Sequence, residues 1–255
     1  MTATPAGMTY ADYLKLDQLL GAQQPLSDLH DEMLFIIIHH TKELWLKQML
    51  HELRFAIGLV ERDKFSEAYK ALSRISRIQS VMTLSWEVLS TLTPVDYLAF
   101  RDVLGTSSGF QSAQFRELEY RLGIKNERYL VHYAGVSDEY SRLKRALEEP
   151  SLREASHSAL ERAGFDLGDR SEEAIVGAWL QVYRDSDRWF ELYQLAEKLV
   201  DIDDALAGWR HKHVVTVERI IGNRPGTGGS AGAPYLRSTI DKRAFPELWA
   251  LRTEL

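Results

Sequence analysis

Residues 27–53 read SDLHDEMLFIIIHHTKELWLKQMLHEL, and their apolar residues recur with the period of an α-helix. The pattern predicts one long helix over about residues 28–62. One face of this helix carries an apolar stripe in which His39 is the polar member; the apolar members are Phe35, Leu46, Leu50, Leu53 and Ile57. His40 lies about 100° around the helix from His39, and we expect it to face away from the stripe.

A second histidine occupies the same kind of position near the end of the chain. Residues 171–205 and 207–221 predict two helices that are nearly continuous, and His213 shares a face with Leu206, Trp209, Val217 and Ile220. A lone histidine on an apolar face is more often a core residue bonded to a carbonyl or carboxylate. Two such histidines on separate helices favour a ligand-binding role only modestly.

Helical periodicity continues through most of the chain. Further helices are predicted at residues 10–20, 63–92, 94–105, 107–123 and 245–252, with a capping box at Ser151–Glu154 beginning another. No segment alternates with period two between turn signals, so no substantial sheet is expected. The sequence therefore predicts a single all-α, bundle-like domain over residues 1–255.

Composition excludes several classes of site and partner. The net charge is −6 and no basic run stands out, which disfavours nucleic acid and anionic membranes as partners. The chain has no cysteine, so disulfides, thiolate metal sites and iron–sulfur clusters are excluded. The longest apolar run, residues 33–38, is far too short to span a bilayer, and no signal peptide is visible. We expect a cytoplasmic protein.

Two other stretches carry groups that suit a ligand. Tyr97, Arg101 and Leu104 share a helical face, and an arginine there is either a carboxylate clamp or a surface ion-pair partner. The turn at 107–109 offers hydroxyls and backbone amides that would hold an anion or cap the next helix. The glycine-rich residues 226–232 are either a flexible linker or an ordered loop over a ligand. Chemistry alone does not decide between these alternatives.

A cysteine-free helical chain with histidines on apolar stripes suits a haem, although the residues alone point to it only weakly. No HExxH motif is present, and the single ExxH, from Glu154 to His157, is one short of the pair that a di-iron bundle needs. A haem asks only for an axial histidine and a long apolar slot with suitable distal groups.

Six blocks of the chain resemble the tryptophan 2,3-dioxygenase family. They lie in the family's order and leave only about residues 133–170 undistinctive; they are YADYLKLDQLL, SDLHDEMLFIIIHHTKELWLKQMLHEL, SWEVLSTLTP, FRDVLGTSSGFQSAQFRELEYRLG, HVVTVERIIGNRPGTGGSAG and FPELWALRT. The resemblance implies an all-α homotetramer with one haem b per subunit. It also implies cleavage of the indole C2–C3 bond of L-tryptophan by O2, which gives N-formylkynurenine.

The resemblance also implies roles for particular residues. His213 matches the axial haem ligand, His39 the distal histidine that bonds the indole N–H, and Arg101 the arginine that holds the substrate carboxylate. Residues that line the substrate pocket are matched by Phe35, Tyr97 and Leu104, and the threonine for the substrate ammonium and carboxylate by Thr227. Residues at the haem edge are matched by Trp86, Ser108 and Gly109. A segment within residues 1–25 that enters a neighbouring subunit is matched by Tyr10, Tyr13 and Leu14.

The chain departs from the family pattern at His40, where glutamine is usual, and in a compact stretch at residues 24–29. We expect His40 to act on the site only indirectly. Two alternatives stay open at this point. One is a haem oxygenase of the same fold that inserts oxygen into a substituted tryptophan, and the other is a helical binding protein that has lost catalysis.

Overall fold

The computed structural model describes residues 7–255, and every regular element within that range is a helix. The α-helices are α1 (Tyr10–Leu14), α2 (Leu16–Gly21), α3 (His30–Val60), α4 (Phe65–Leu89), α5 (Pro94–Phe100), α6 (Ala113–Leu122), α7 (Ser137–Glu148), α8 (Leu152–Arg162), α9 (Glu172–Arg184), α10 (Phe190–Ile221), α11 (Ala233–Arg237) and α12 (Pro246–Ala250). Short 3₁₀ helices lie at Arg101–Leu104, Gly109–Gln111, Glu127–Tyr133 and Leu251–Thr253. The predicted all-α class is confirmed.

Three long helices form the framework of the molecule. α4 packs along both α3 and α10, so it lies between the two helices that carry the stripe histidines. Leu53, Leu72 and Leu199, one from each helix, are completely buried. Burial of a leucine side chain stabilises a fold by about 1.5–3 kcal/mol. The buried faces of α3, α4 and α10 together therefore hold His39 and His213 in fixed positions.

Helix ends follow the local signals where side chains can satisfy the terminal backbone groups. The hydroxyl of Thr93 accepts from the amide of Asp96 at the start of α5, and Pro94 follows it. Ser151 and Glu154 form the predicted capping box of α8. Gly123 ends α6 with φ of 132°, a conformation that favours glycine.

Several predicted helix boundaries were wrong. Residues 10–20 form two helices because Lys15 adopts a left-handed conformation with φ of 53°. Residues 171–205 are interrupted between α9 and α10, where the Trp189 ring packs against Phe165 at 4.8 Å. The predicted helices at 94–105 and 107–123 each include 3₁₀ turns, and α7 and α11 were not predicted. Residues 205–207 lie inside one continuous α10, as the near-continuity suggested.

No helix in residues 7–255 combines the length and apolar character that crossing a bilayer requires.

A buried charged cluster joins α8 to α12. The carboxylate of Glu247, 1% exposed, accepts from His157 Nε2 at 2.8 Å and pairs with Arg153 Nη2 at 2.8 Å. Burial opposes ionisation, but the bond to His157 and the charge of Arg153 outweigh it and keep the pKa of Glu247 below its ordinary value. His157, the histidine of the single ExxH, therefore has a structural partner and does not line either cavity described below.

Replacement Glu247→Gln should lower the free energy of unfolding at pH 7 by about 2 kcal/mol, since it removes a buried charged hydrogen-bond partner. A carboxylate whose pKa is lower in the folded than in the unfolded protein stabilises the fold at pH values above the unfolded pKa. This stabilisation is lost as the pH falls through the folded pKa, so the difference in free energy of unfolding between wild type and variant should shrink below about pH 4.3. Urea unfolding at several pH values measures it. Glu161→Gln, which breaks the exposed pair with Arg170, should cost less than about 1 kcal/mol; equal losses would contradict the account.

Candidate active site

A cavity of about 830 Å³ opens between α3, α5 and α10, and we term it the larger lobe. A neighbouring cavity of about 140 Å³, the smaller lobe, extends toward α6 and α11. The two lobes share wall residues that include His39, Trp86 and His213. The larger lobe has the size of a small-molecule or cofactor site. The two stripe histidines therefore face one ligand-sized space.

His213 is held by aromatic rings and has no hydrogen-bond partner among the described residues. Its ring stacks on Trp86 at 4.3 Å with an interplanar angle of 12°, and Trp209 lies 5.2 Å away. Burial, with a smaller contribution from the charge of Lys42, lowers the pKa of His213 to about 3. The imidazole is therefore neutral at physiological pH, which is the form that binds metals.

His39 has its tautomer fixed by the backbone. Nδ1 lies 2.7 Å from the carbonyl oxygen of Phe35, and because a carbonyl only accepts, Nδ1–H must donate. Nε2 is then left with a lone pair as an acceptor. Burial and the charge of Lys42 outweigh this bond and lower the pKa of His39 to about 4. His39 is thus a neutral hydrogen-bond acceptor and a weak base.

An aromatic wall borders the larger lobe beside His39. The Phe35 ring lies 4.2 Å from the His39 ring and 5.8 Å from the Tyr97 ring, and Leu104 lies on the same lobe. Burial, only partly offset by the charge of Arg101, raises the pKa of Tyr97, so its hydroxyl stays protonated. This wall suits a flat apolar ring system.

The glycine-rich stretch is an ordered loop that packs on the 107–109 turn. Thr227 Oγ1 donates to the carbonyl of Ser107, and Arg101 Nη2 donates to the carbonyl of Pro225. A Cβ at Gly228 would lie 2.6 Å from that of Ser108, so the close approach requires glycine. The loop contributes Thr227 to the larger lobe, which supports the interpretation of a loop over a ligand.

The 107–109 turn caps a helix and also borders the cavity. Ser108 Oγ accepts from the amide of Phe110, in a capping box with Gln111. Ser108 and Gly109 both line the larger lobe, and Gly109 also lines the smaller one. The capping and ligand-side interpretations of this turn are therefore compatible.

Four buried donors around the smaller lobe have no acceptor among the described residues. They are Lys42 Nζ, Trp86 Nε1, Trp209 Nε1 and Arg116 Nε. Buried polar groups are almost always hydrogen-bonded in native proteins. A cluster of unsatisfied donors thus indicates a ligand that brings acceptors.

Not every predicted site residue lies on the cavity wall. Arg101 borders the loop without lining either lobe, and His40, expected to face away, lines the larger lobe with Nδ1 3.0 Å from Gln23 Nε2. Tyr10, Tyr13 and Leu14 lie on α1, exposed and away from the cavity of their own chain. Residues 1–6 of the expected subunit-contact segment lie outside the described residues.

Lys42 also lines the smaller lobe, which the sequence did not predict. It follows His39 by three positions and precedes Leu46 by four, so helical spacing puts it on the same stripe. Its side chain is 6% exposed, and Nζ lies 2.9 Å from the centroid of the Trp86 ring. Burial lowers the pKa of Lys42 to about 6.

A family model described as tryptophan 2,3-dioxygenase matches residues 1–169 and 166–255 of the chain. The tryptophan 2,3-dioxygenase of Caulobacter vibrioides is 58% identical, with 97% of this chain and 98% of the relative covered. Proteins of the same name from Bacillus thuringiensis and Shewanella woodyi are 50% and 49% identical over 97% of this chain, and 93% and 91% of their own lengths are covered.

Proposed function

The chain belongs to the tryptophan 2,3-dioxygenase family, and we propose that the cavity lined by His39 and His213 is its catalytic site. The protein is an oxidoreductase that cleaves the indole C2–C3 bond of L-tryptophan with O2. Both oxygen atoms enter the product, N-formylkynurenine, so the reaction consumes no external reductant. The names of the relatives give no support to a substituted tryptophan as the substrate or to a chain without catalysis.

The family implies a haem cofactor, and we propose haem b with His213 as the axial ligand. The residues fit this group in two respects. His213 is neutral, lies against both lobes and has no protein partner for its ring nitrogens among the described residues. Trp86 and Trp209 add unsatisfied buried N–H groups beside it, which suits a cofactor with carboxylate acceptors. When bound, the haem supplies the binding and activation of dioxygen.

The chain would orient the indole ring through one wall of the larger lobe. Phe35, Tyr97 and Leu104 provide apolar surface for the ring, and His39 Nε2 is the acceptor that its N–H requires. Because His39 is a weak base, it positions the indole and is not assigned the removal of a proton. Apolar walls also exclude water from the reacting carbon atoms.

The charged end of tryptophan would lie under the glycine-rich loop. Arg101 uses one guanidinium N–H on Pro225, which leaves donors for the substrate carboxylate. Thr227 donates its hydroxyl proton to Ser107, so its oxygen is available only as an acceptor and matches the substrate ammonium. Ser108 and Gly109 border the same lobe, where we place the haem edge. The loop would thus hold substrate and cofactor in fixed relation.

The observation that carries this proposal is that two neutral imidazoles, from α3 and α10, face one cavity of ligand size. Mass spectrometry of the product formed under ¹⁸O2 tests it. We expect both labelled atoms in N-formylkynurenine for the wild type and almost no product for a variant that blocks the larger lobe, Leu104→Trp. Incorporation of one labelled atom, or full activity of Leu104→Trp, would contradict the proposal.

His39→Ala should retain haem and lower kcat/KM for L-tryptophan by about tenfold, the value of one hydrogen bond to the indole N–H. Steady-state kinetics with L-tryptophan and 1-methyl-L-tryptophan measures this. The variant should lose most of the wild-type preference for tryptophan, because the methylated ring has no N–H to donate. Complete loss of turnover with haem retained would instead assign His39 an obligatory proton transfer.

We also propose that the N-terminal segment, residues 1–25, packs against another copy of the chain in a homotetramer. Tyr10 and Tyr13 are 75% and 73% exposed, and Leu14 and Leu20 in the same segment are exposed as well. An exposed apolar patch of this kind is typical of an interaction surface. Cytoplasmic location stays a prediction of the sequence.

A further inference from the structure

The side chain of Lys42 is a buried basic group that neither the fold nor the proposed reaction yet uses. It is 6% exposed, and its Nζ has no hydrogen-bond partner among the described residues. An ammonium buried without a counter-charge is strongly unfavourable. The position therefore calls for an anionic group that the chain itself does not provide.

The smaller lobe, which Lys42 lines, is cationic. Its wall has four cationic side chains and two carboxylates, namely Lys42, Arg116, Arg210 and Lys242 against Glu43 and Glu119. Glu119 is already shared by both arginines, and Glu43 accepts from Ser112 and Gln114. The larger lobe has the opposite balance, with Glu32, Glu43 and Glu139 against Arg142. An anion is thus favoured at the smaller lobe.

Lys42 is also linked to the proposed axial ligand through one aromatic ring. Its Nζ lies 2.9 Å from the centroid of the Trp86 ring, and that ring stacks on His213 at 4.3 Å. Lys42 and His213 also line the same smaller lobe, so a ligand that contacts His213 there can reach Lys42. By contrast, Arg101 and the loop that it binds at Pro225 are not part of the smaller lobe.

We propose that Lys42 binds a propionate carboxylate of the haem through its ammonium group, and that the smaller lobe holds this end of the cofactor. The inference rests on the proposed haem site and adds a haem-binding residue to it. The excess of two cationic groups in the lobe matches the two propionates of haem b. Trp86 Nε1, a buried donor without a partner among the described residues, would be available to donate to the same carboxylate.

Equilibrium titration of the haem-depleted protein tests the proposal, with the Soret absorbance and tryptophan fluorescence as readouts. The probes are iron protoporphyrin IX and its dimethyl ester, which lacks the propionate charges. Lys42→Met should weaken binding of the free acid by at least about tenfold, the value of a hydrogen bond to a charged group. It should leave binding of the ester within about threefold of wild type, and Lys42→Arg should restore most of the lost affinity.

Lys47→Met is the matched control, because Lys47 is exposed on the same helix. Circular dichroism of Lys42→Met and of a second variant, Lys42→Gln, checks that any loss of haem affinity is not caused by unfolding. Unchanged haem affinity in Lys42→Met, or equal losses with both porphyrins, would overturn the proposal. Unchanged haem affinity together with weaker L-tryptophan binding would also overturn the proposal, because Lys42 would then bind the carboxylate of the substrate. A wild-type protein that binds neither porphyrin would overturn the proposed haem site itself.

Discussion

His213→Ala should abolish haem binding at micromolar haem and lower turnover of L-tryptophan by at least about a thousandfold. Mutation of a residue that hydrogen-bonds to a metal ligand typically lowers metal affinity by about 10–100-fold. Removal of the ligand itself should have a larger effect. His213 makes no hydrogen bond to the described chain, so the fold should lose only its aromatic contacts with Trp86 and Trp209, about 1 kcal/mol each.

Haem content by absorbance and turnover by product formation measure this effect, and imidazole added in solution should restore part of the haem binding. His211→Ala is the matched control, because His211 is exposed two residues away on α10 and points to another side of the helix. It should leave haem content unchanged. Full haem binding and turnover in His213→Ala would remove His213 from the site.

Arg101→Met should lower kcat/KM for L-tryptophan by about a hundredfold to a thousandfold, because loss of one partner of a buried charge pair costs 2–5 kcal/mol or more. Tryptamine, which lacks the carboxylate, separates the clamp from a structural role. Its kcat/KM should change by less than about threefold in the variant, since it never engages the guanidinium. Steady-state kinetics with both substrates gives the two ratios.

The second substrate is needed because Arg101 also ties the loop to the protein through Pro225. Arg224→Met is the matched control, since Arg224 is exposed shortly before the loop of residues 226–232. Its Nη1 lies 3.5 Å from the carbonyl of Ile221. Equal losses for tryptophan and tryptamine in Arg101→Met would show that the arginine only holds the loop. Loss for tryptophan alone would assign it to the substrate carboxylate.

Helical periodicity predicted the parts of the fold that depend on burial of a continuous face. The stripes containing His39 and His213 are spaced for one face each, and α4 packs along both helices. Spacing also carries Lys42 onto the first stripe, but a lysine is ordinarily solvated, so its burial against Trp86 could not be anticipated. Only the packed structure shows that its Nζ has no hydrogen-bond partner among the described residues.

The helix breaks were harder to predict because tertiary packing sets them. Lys15 has no local signal for a left-handed conformation, and residues 185–189 contain neither glycine nor proline. The break there accompanies the packing of Trp189 on Phe165, a contact between residues distant in sequence. Helical propensity is a weak guide where such contacts compete with it.

The loop at residues 226–232 could be predicted less well than the buried helix faces but better than the helix breaks. Its composition fits a linker and a ligand-side loop equally, and contacts decide between them. Thr227 bonds to Ser107, and Gly228 approaches Ser108 too closely for a side chain. The partners of Arg101 likewise depend on where this loop lies, so its role as a carboxylate clamp rests on the resemblance and stays a prediction.

The most direct test of the central claim is an anaerobic optical titration of the reduced, haem-loaded protein with L-tryptophan, followed by addition of O2. The account predicts a haem spectrum that shifts on tryptophan binding and the appearance of N-formylkynurenine when O2 is added, with neither change in His213→Ala. A wild-type protein that takes up no haem, or a haem spectrum that ignores tryptophan and yields no such product, would contradict it.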